Sequence, residues 1–483
     1  MSRALAVGPA TYGRKLALIT GLGAVLRLGL LARQPLGIDE DFTAAVVTRP
    51  LGEMLGVVSR DSAPPLFYLL EWPVAHLAAG PAALRLVPAV AGIALIPLLA
   101  ALARRVGGDP AGLWAAAFVA LLPATLMGAE NARMYSLAGS LVVAAALLLW
   151  RATERPRARR WAAYGAVAAA AVWTDYFAAV ALAGVVVAAI WLRPGGRALV
   201  AAGGVTVVDL ASLAPWLAFA HAQFEHAGQG FWIPPLSPES VAGTFGQLFA
   251  GPPIDPGVPG REVLIGLQVL AVAAGVGALV AAGVAIRRGP ETRRLAGFLI
   301  LACSGVAALA AVSPWRPILE ARYASVIWLP LFALAGVGLA AAPRRIAAVL
   351  VAAVAVPSLA LGSATTHPET ASLLPGIQSR LGPHDLIATD PNHYLSILAD
   401  GSPAVLSRLH VLAAVDPAWY FGTAAYPSGA VIRSAPEDVA ANAGLIYYVA
   451  DPGTSPASLP VGYRETGRDC RIGVCLTVYG PPG

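Results

Sequence analysis

Charge is what this chain has least of. Only 12% of its 483 residues are Asp, Glu, Lys or Arg, against about 25% in an ordinary soluble domain. So few charges leave a water-facing surface poorly covered, whereas a lipid-facing surface needs none. The chain also lacks a Walker sequence, a dinucleotide fingerprint and a Gly-rich phosphate loop, which excludes direct use of nucleotide energy. No internal repeat or low-complexity tract is present. No basic stripe interleaves with aromatics, so the formal net charge of +6 does not point to nucleic acid. Cysteine is scarce. Cys303 lies in an apolar run and reads as inert packing. Cys470 and Cys475 are close together near the C-terminus, which fits a disulfide if that tail lies outside the cytoplasm. A metal site is the weaker reading there, because no third or fourth ligand is near.

What fills the sequence is apolar. Ala, Val, Ile, Leu, Met, Phe, Trp, Tyr and Cys make up 57% of it, and mean hydropathy is +0.69. Small residues dominate, which suits close helix packing in a bilayer. A spanning helix needs about 20 apolar residues. About eleven stretches qualify: 14–33, 83–103, 110–127, 133–150, 159–174, 177–192, 198–219, 262–286, 293–312, 323–341 and 344–362. The first exceeds a signal-peptide core and no small-residue cleavage pattern follows it, so it reads as a retained helix.

Pro64–Ala79 is ambiguous, and charge settles it. If it does not cross, then Arg104–Arg105, the cluster from Arg151 to Arg160, Arg193, Arg197, Arg287–Arg288, Arg293–Arg294 and Arg344–Arg345 share a side with Arg14 and Lys15. That is a positive-inside pattern. If it crosses, the first helix conflicts with every later loop. Pro64–Ala79 is therefore expected to lie along or dip into the outer interface. The N-terminus is then cytoplasmic and the C-terminus outside. Segments 34–82, 220–261 and the tail from about 363 face out. The tail, with its charges, Asn392, several His and alternating stretches, reads as a small α/β domain. The expected fold is an all-α polytopic membrane protein over 1–362 with an extracytoplasmic α/β domain over 363–483.

The outward turns carry the polar residues. Asp39, Glu40 and Asp41 follow the first span. Like charges raise one another's pKa, which makes a better base, but a solvated loop or helix N-cap reads equally from them. Asp61 before Pro64 fits plain N-capping. Glu130 and Arg133 stand three apart and share a helical face. Arg133 is then an ion-pair member or a phosphate clamp. Later turns hold Asp175 with Tyr176, and Glu320 with Arg322 and Tyr323. Each alone says little. Together, on one membrane face, they suggest a site where acids activate a hydroxyl and arginines hold a leaving phosphate.

The order of these pieces resembles the GT-C membrane glycosyltransferases, most closely the family-39 protein mannosyltransferases with their bacterial Rgt-like and aminoarabinose-transferase relatives. That branch has an Asp-Glu pair, a D-x-H-P-P-L-x-Y stretch, an E-x-R-x-Y-x-L turn and an R-Y helix start followed by Pro. Here stand Asp39-Glu40, Asp61-Ser62-Ala63-Pro64-Pro65-Leu66-Phe67-Tyr68, Glu130-Asn131-Ala132-Arg133-Met134-Tyr135-Ser136-Leu137, and Arg322-Tyr323 with Pro330. The matches run in order over about 14–362. The family's His is Ala63 here, so any role of that His is missing or moved. Asp41 extends the acidic pair and is an alternative base.

The resemblance implies an inverting transfer on the outer face, from a polyprenyl-phosphate sugar to an acceptor hydroxyl on a glycan, lipid or protein. It implies Asp39 as base, with Glu40 positioning the acceptor or sharing that role. Arg133 and Arg322 would bind phosphate, Glu130 would orient Arg133, and Tyr135, Tyr176 and Tyr323 would line the pocket, with Asp61 and Asp175 supporting. No cofactor is certain, and three adjacent acids permit a divalent metal. The segment Gly230-Phe231-Trp232-Ile233-Pro234-Pro235 resembles a family loop that closes over sugar or lipid, and reads equally as an interfacial aromatic anchor. The rival reading is a multi-pass transporter or flippase, which Asp209 inside a span would suit. The sequence names neither sugar nor acceptor.

Overall fold

The computed structural model describes residues 9–192, 195–223, 232–254, 258–361, 368–413, 415–433, 444–456 and 459–481. Helix α1 (Pro9–Leu30) comes first. It is followed by α2 (Ile38–Val47), α3 (Leu51–Val58), α4 (Leu66–Leu77) and α5 (Pro81–Leu84). Helix α4 occupies the ambiguous stretch. Its 12 residues reach about 18 Å, well short of a hydrocarbon core of about 30 Å. By length alone it does not reach across, which leaves the interfacial placement of Pro64–Ala79 an expectation from charge.

Helix α6 (Leu86–Leu121) is in fact a hairpin. Gly108, at φ 74° and ψ −170°, breaks it, and no other residue takes that backbone easily. A Cβ on Gly112 would stand 2.9 Å from the Ala100 carbonyl oxygen, which is impossible along a continuous helix. The two arms correspond to the expected spans 83–103 and 110–127. A second break at Leu122 precedes α7 (Pro123–Ala129). It leaves carbonyls without helical donors, and Arg27 of α1 supplies them. Its guanidinium donates to the Val119 and Ala120 oxygens at 3.1 Å each and to Gly23 O at 3.2 Å.

The remaining membrane-domain helices are α8 (Tyr135–Glu154), α9 (Ala158–Thr174), α10 (Phe177–Trp191), α11 (Gly196–Ser212), α12 (Ala214–Phe219) and α13 (Pro238–Ala250). After them come α14 (Arg261–Arg288), α15 (Pro290–Ala302), α16 (Ser304–Val312), α17 (Ala321–Ala324), α18 (Pro330–Ala341) and α19 (Arg344–Leu361). Each expected stretch contains helix, but 323–341 is broken between Ala324 and Pro330, so that only the 12 residues of α18 are continuous there. Helix α13 lies within the segment 220–261: Ser237 caps its N-terminus, accepting from Ser240 N at 3.1 Å, with Pro238 at its first position. The hairpin Leu86–Leu121 taken as a whole, and Tyr135–Glu154, Gly196–Phe219, Arg261–Arg287 and Pro290–Val312, are long and apolar enough to cross a membrane. Helices α10 and α18 are shorter apolar ones. Val25, Val200, Val280 and Val349 stay exposed on α1, α11, α14 and α19, as lipid contact allows.

The tail carries a small sheet with helices. Helix α20 (Thr370–Gln378) leads to β1 (Leu386–Thr389), α21 (Tyr394–Asp400), β2 (Leu409–Ala413), β3 (Val431–Arg433), β4 (Ile446–Ala450), β5 (Arg464–Arg471) and β6 (Val474–Gly480). The sheet order is β3-β2-β1-β4-β6-β5. β1 to β4 are parallel and β5 and β6 close the sheet as an antiparallel hairpin. A disulfide joins Cys470 to Cys475 across that hairpin. The junction expected between 362 and 363 falls outside the described residues. The domain shares a core with the short outer helices: Phe42, Val46, Met54 and Val57 pack in one cluster with Leu395, Ile397 and Ala425.

Candidate active site

Between the outer helix ends and the C-terminal domain lies a cleft of about 620 Å³. Asp39 reaches it from the first turn of α2, Asp61 from the turn after α3, and Arg133 and Tyr135 from the start of α8. Asp175, Tyr176 and Phe177 come from the junction of α9 and α10, and Arg322 and Tyr323 from α17. Turns far apart in sequence thus meet at one place.

Asp39 Oδ2 accepts from Arg322 Nη1 at 2.5 Å. This ion pair is part-exposed, with side chains 33% and 41% accessible for Arg322 and Asp39. Burial works against the Arg322 cation, but Asp39 and nearby tyrosines outweigh it and hold its pKa above the ordinary value. Arg322 also lies 4.8 Å from the Trp232 ring centroid, a cation–π distance. Arg133 is buried. Its Nη1 is 3.4 Å from the Asp39 carbonyl oxygen and 3.4 Å from the Tyr68 hydroxyl. Tyr323 stacks on Phe177 at 4.2 Å. Tyr176 donates to Gln223 Oε1 at 2.8 Å and accepts from Trp216 Nε1 at 3.0 Å.

Asp61 and Asp175 are buried carboxyls. Burial raises the pKa of Asp61, opposed by the Arg133 charge. Burial raises Asp175 to about 6, although its Oδ1 caps α10 by accepting from Phe177 N at 2.7 Å.

Three expected residues lie elsewhere. Glu40 is buried and does not line the cleft. Both its oxygens meet Arg85, at 2.7 and 2.6 Å, and they also accept from Ala132 N and Gly37 N at 2.8 and 2.9 Å. The Arg85 guanidinium spends its other bonds on the Leu31, Gln34 and Pro35 carbonyls. This knot ties the end of α1, the start of α2 and the turn carrying Arg133. Asp41 is buried and accepts from Ser396 of α21, so it faces the C-terminal domain. Burial pushes its pKa well up. Glu130 is outside the cleft, and burial raises its pKa to about 7, with Arg85 and Arg27 opposing. The acids 39–41 therefore diverge and do not form the metal-ligand set that their adjacency permitted.

Among the described residues, the group spaced to hold a metal is Asp390, His393 and Asp451 in the C-terminal domain. Its members bond one another and the backbone. His393 Nε2 is 3.1 Å from Asp451 and its Nδ1 2.9 Å from Thr370. Both Asp390 oxygens accept backbone N–H groups at 3.1 Å.

The sequence reading missed several residues at or near the cleft. Arg316 lines it, as do Gln223 and a turn of the C-terminal domain, Trp419–Gly422. Gln223 also binds the Val58 and Ala63 carbonyls at 2.8 and 3.3 Å. Ala63, at the family's His position, is buried against the cleft. Trp232 lines the cleft too, while its neighbours Gly230 and Phe231 lie outside the described residues.

Residues 62–219 match the family model described as dolichyl-phosphate-mannose-protein mannosyltransferase. ArnT from Cupriavidus metallidurans in the apo state is similar in structure, with TM-score 0.65 and 17% identity over 97% of this chain and 98% of that one. ArnT bound to undecaprenyl phosphate gives 0.61 and 16%, over 96% and 97%. AglB, an oligosaccharyltransferase from Archaeoglobus fulgidus in complex with an inhibitory peptide and a dolichol-phosphate, gives 0.54 and 13%, over 91% and 69%. No curated protein matches the chain in sequence. The chain therefore has the GT-C fold, and the resemblance to the mannosyltransferase and aminoarabinose-transferase branch carried by its ordered motifs holds.

Proposed function

We propose that this chain is an inverting glycosyltransferase of the outer membrane face, with a polyprenyl-phosphate sugar as donor and an acceptor hydroxyl as nucleophile. The observation that carries it is the Asp39–Arg322 pair at 2.5 Å, set in a cleft with a second arginine, Arg133. A carboxylate and two cations at the outward helix ends match what the chemistry needs. The N-terminus is then cytoplasmic, and the C-terminal domain and the cleft face out.

In this reading Asp39 takes the proton of the acceptor hydroxyl. The new bond forms from that oxygen to the anomeric carbon, on the face opposite the lipid phosphate. The bond from the anomeric carbon to the phosphate oxygen breaks, and the polyprenyl phosphate leaves with the electron pair. Arg322 serves both ends. In the resting site it neutralises Asp39. When the donor arrives, its phosphate competes for the guanidinium, and Asp39 gains basicity as Arg322 turns away. Arg133 adds fixed positive charge. Asp61 and Asp175, with raised pKa, are suited to hydrogen-bond sugar hydroxyls. Glu40 acts through geometry, by fixing α2 and the Arg133 turn. No step needs a metal.

The test is sugar release from radiolabelled polyprenyl-phosphate monosaccharides to a crude envelope acceptor. Asp39→Asn should lower turnover by about 10²–10⁴, with donor binding and thermal stability kept. Asp39→Asn as active as the parent removes the assignment of the base. Parent protein that turns over no donor removes the proposed function.

A further inference from the structure

The C-terminal domain reaches the cleft with two pieces only among the described residues: Leu395 and the turn Trp419-Tyr420-Phe421-Gly422. The aromatic trio forms a 3₁₀ turn. None of the three is buried, although together they carry a large apolar area. Tyr420 packs between its neighbours, with ring centroids 6.1 Å from Trp419 and 4.8 Å from Phe421.

This turn is held over the catalytic helix by several contacts from α2. Gly422 sits at φ 71°, and a Cβ there would come within 2.8 Å of both Phe42 and Leu395. Glycine at this position lets the turn close down on the helix that carries Asp39. Arg49, just past α2, donates to the Ala425 carbonyl at 2.5 Å in the next turn and to Ala45 O of α2 at 3.0 Å. Asp41 accepts from Ser396, one residue past Leu395. The acidic residue beside Asp39 thus serves to dock the domain that brings the aromatics.

We propose that Trp419, Tyr420 and Phe421 form a carbohydrate-stacking platform, the acceptor subsite, and that the acceptor is accordingly a glycan. The inference rests on the glycosyl-transfer reading above. A pyranose or furanose ring presents a face of C–H bonds that packs on aromatic rings, while its edge hydroxyls seek polar partners. The cleft offers both, because Asp39, Asp61, Ser62 and Gln223 line the same space as the aromatic turn. One common way to hold a peptide, strand addition at a sheet edge, is not offered here, because no strand of the domain lines the cleft among the described residues. A ring lying on the platform would turn a hydroxyl toward Asp39.

The experiment is saturation-transfer NMR and affinity measurement on the full chain in detergent. The probes are mannan, arabinan, galactan and peptidoglycan oligosaccharides, a Ser/Thr-rich peptide, and, separately, undecaprenyl phosphate. At least one oligosaccharide should bind, with saturation strongest on its ring C–H protons. Trp419→Ala and Tyr420→Ala should each weaken it at least tenfold, and Tyr420→Phe less than threefold, because stacking needs the ring and not the hydroxyl. Undecaprenyl phosphate affinity should stay within twofold in all three, which also reports that they fold. Binding of no oligosaccharide, or binding indifferent to both alanine variants, overturns the proposal. So does peptide binding that the alanine variants abolish. A parent that binds oligosaccharide and not undecaprenyl phosphate keeps the platform and removes the donor reading instead.

Discussion

Asp39, Glu40 and Asp41 are neighbours in the chain and have three different surroundings: a part-exposed cleft, an arginine knot and a domain contact. Successive side chains on a helix stand about 100° apart, so three in a row cannot serve one site once the segment is helical. That divergence was readable from the sequence had the acidic run been taken as a first helical turn. The partners Arg85 and Ser396 were not readable, since they come from 45 and 355 residues away. The difference separates two substitutions. Asp39→Asn should remove activity and leave stability, as argued above. Glu40→Gln breaks a buried pair, which costs about 3–5 kcal/mol. Thermal unfolding should fall steeply, and turnover per folded molecule should fall less than in Asp39→Asn. A Glu40→Gln protein as stable as the parent would contradict the knot. Glu71 on α4 gives a pH test. It is fully buried, and neither carboxylate oxygen has a hydrogen-bond partner among the described residues. Burial raises its pKa from 4.5 to about 8. The folded state therefore holds the proton more tightly than the unfolded one. Its contribution to stability is full below about 4.5 and is lost as pH rises through about 8. Glu71→Gln should flatten that dependence, by a few kcal/mol at most, in melts run from pH 5 to 8.5. Equal slopes in both proteins would exclude Glu71 as the cause.

At the scale of elements, hydropathy and charge placed the helices well, because lipid burial needs long apolar runs and the loops keep the arginines. The breaks were less legible. Gly108 turns α6 back on itself, and a Gly-Gly-Asp-Pro sequence signals that turn. The break at Leu122 is different, because its carbonyls are bonded by Arg27 from another helix, a partner that sequence alone does not supply. Close approach between helices is likewise a property of pairs. Gly338 of α18 meets α14 so tightly that a Cβ would overlap the Ala278 carbonyl oxygen and stand 2.5 Å from Ala282 N. Both are backbone atoms, which cannot rotate aside, and small residues on both helices are what permits this contact. Gly338→Ala should therefore cost about 1–3 kcal/mol and lower the thermal midpoint in detergent. Gly266, exposed on α14, has nothing within 4 Å of a Cβ. Gly266→Ala should be neutral or stabilise by up to about 1 kcal/mol. If the two alanine variants melt alike, the tight α14–α18 contact is not what holds these helices together.

At the scale of the whole molecule, orientation decides whether the cleft can meet its substrates. The proposed orientation, read from the positive-inside pattern, has the 151–160 arginine cluster in the cytoplasm and the C-terminal domain outside. The Cys470–Cys475 disulfide agrees, because disulfides persist in oxidising compartments. The acids and arginines at the outward turns were legible as a set because each lies at a span boundary. The aromatic turn at 419–421 was not, since its place over the cleft depends on Asp41, Phe42 and Arg49 docking the domain. Both the active site and the platform therefore stand or fall with sidedness, and two positions report it. Val461 is 92% exposed on the C-terminal domain, and Arg159 is exposed in the first turn of α9, within the arginine cluster. In a Cys303→Ser background, Val461→Cys should react with a membrane-impermeant maleimide on intact cells. Arg159→Cys should react only after the membrane is permeabilised. The reverse pattern would place the cleft in the cytoplasm, away from any outer-leaflet acceptor. Labelling of both positions on intact cells would mean that an even number of spans separates them, and the expected run of spans from 159–174 to 344–362 would be miscounted.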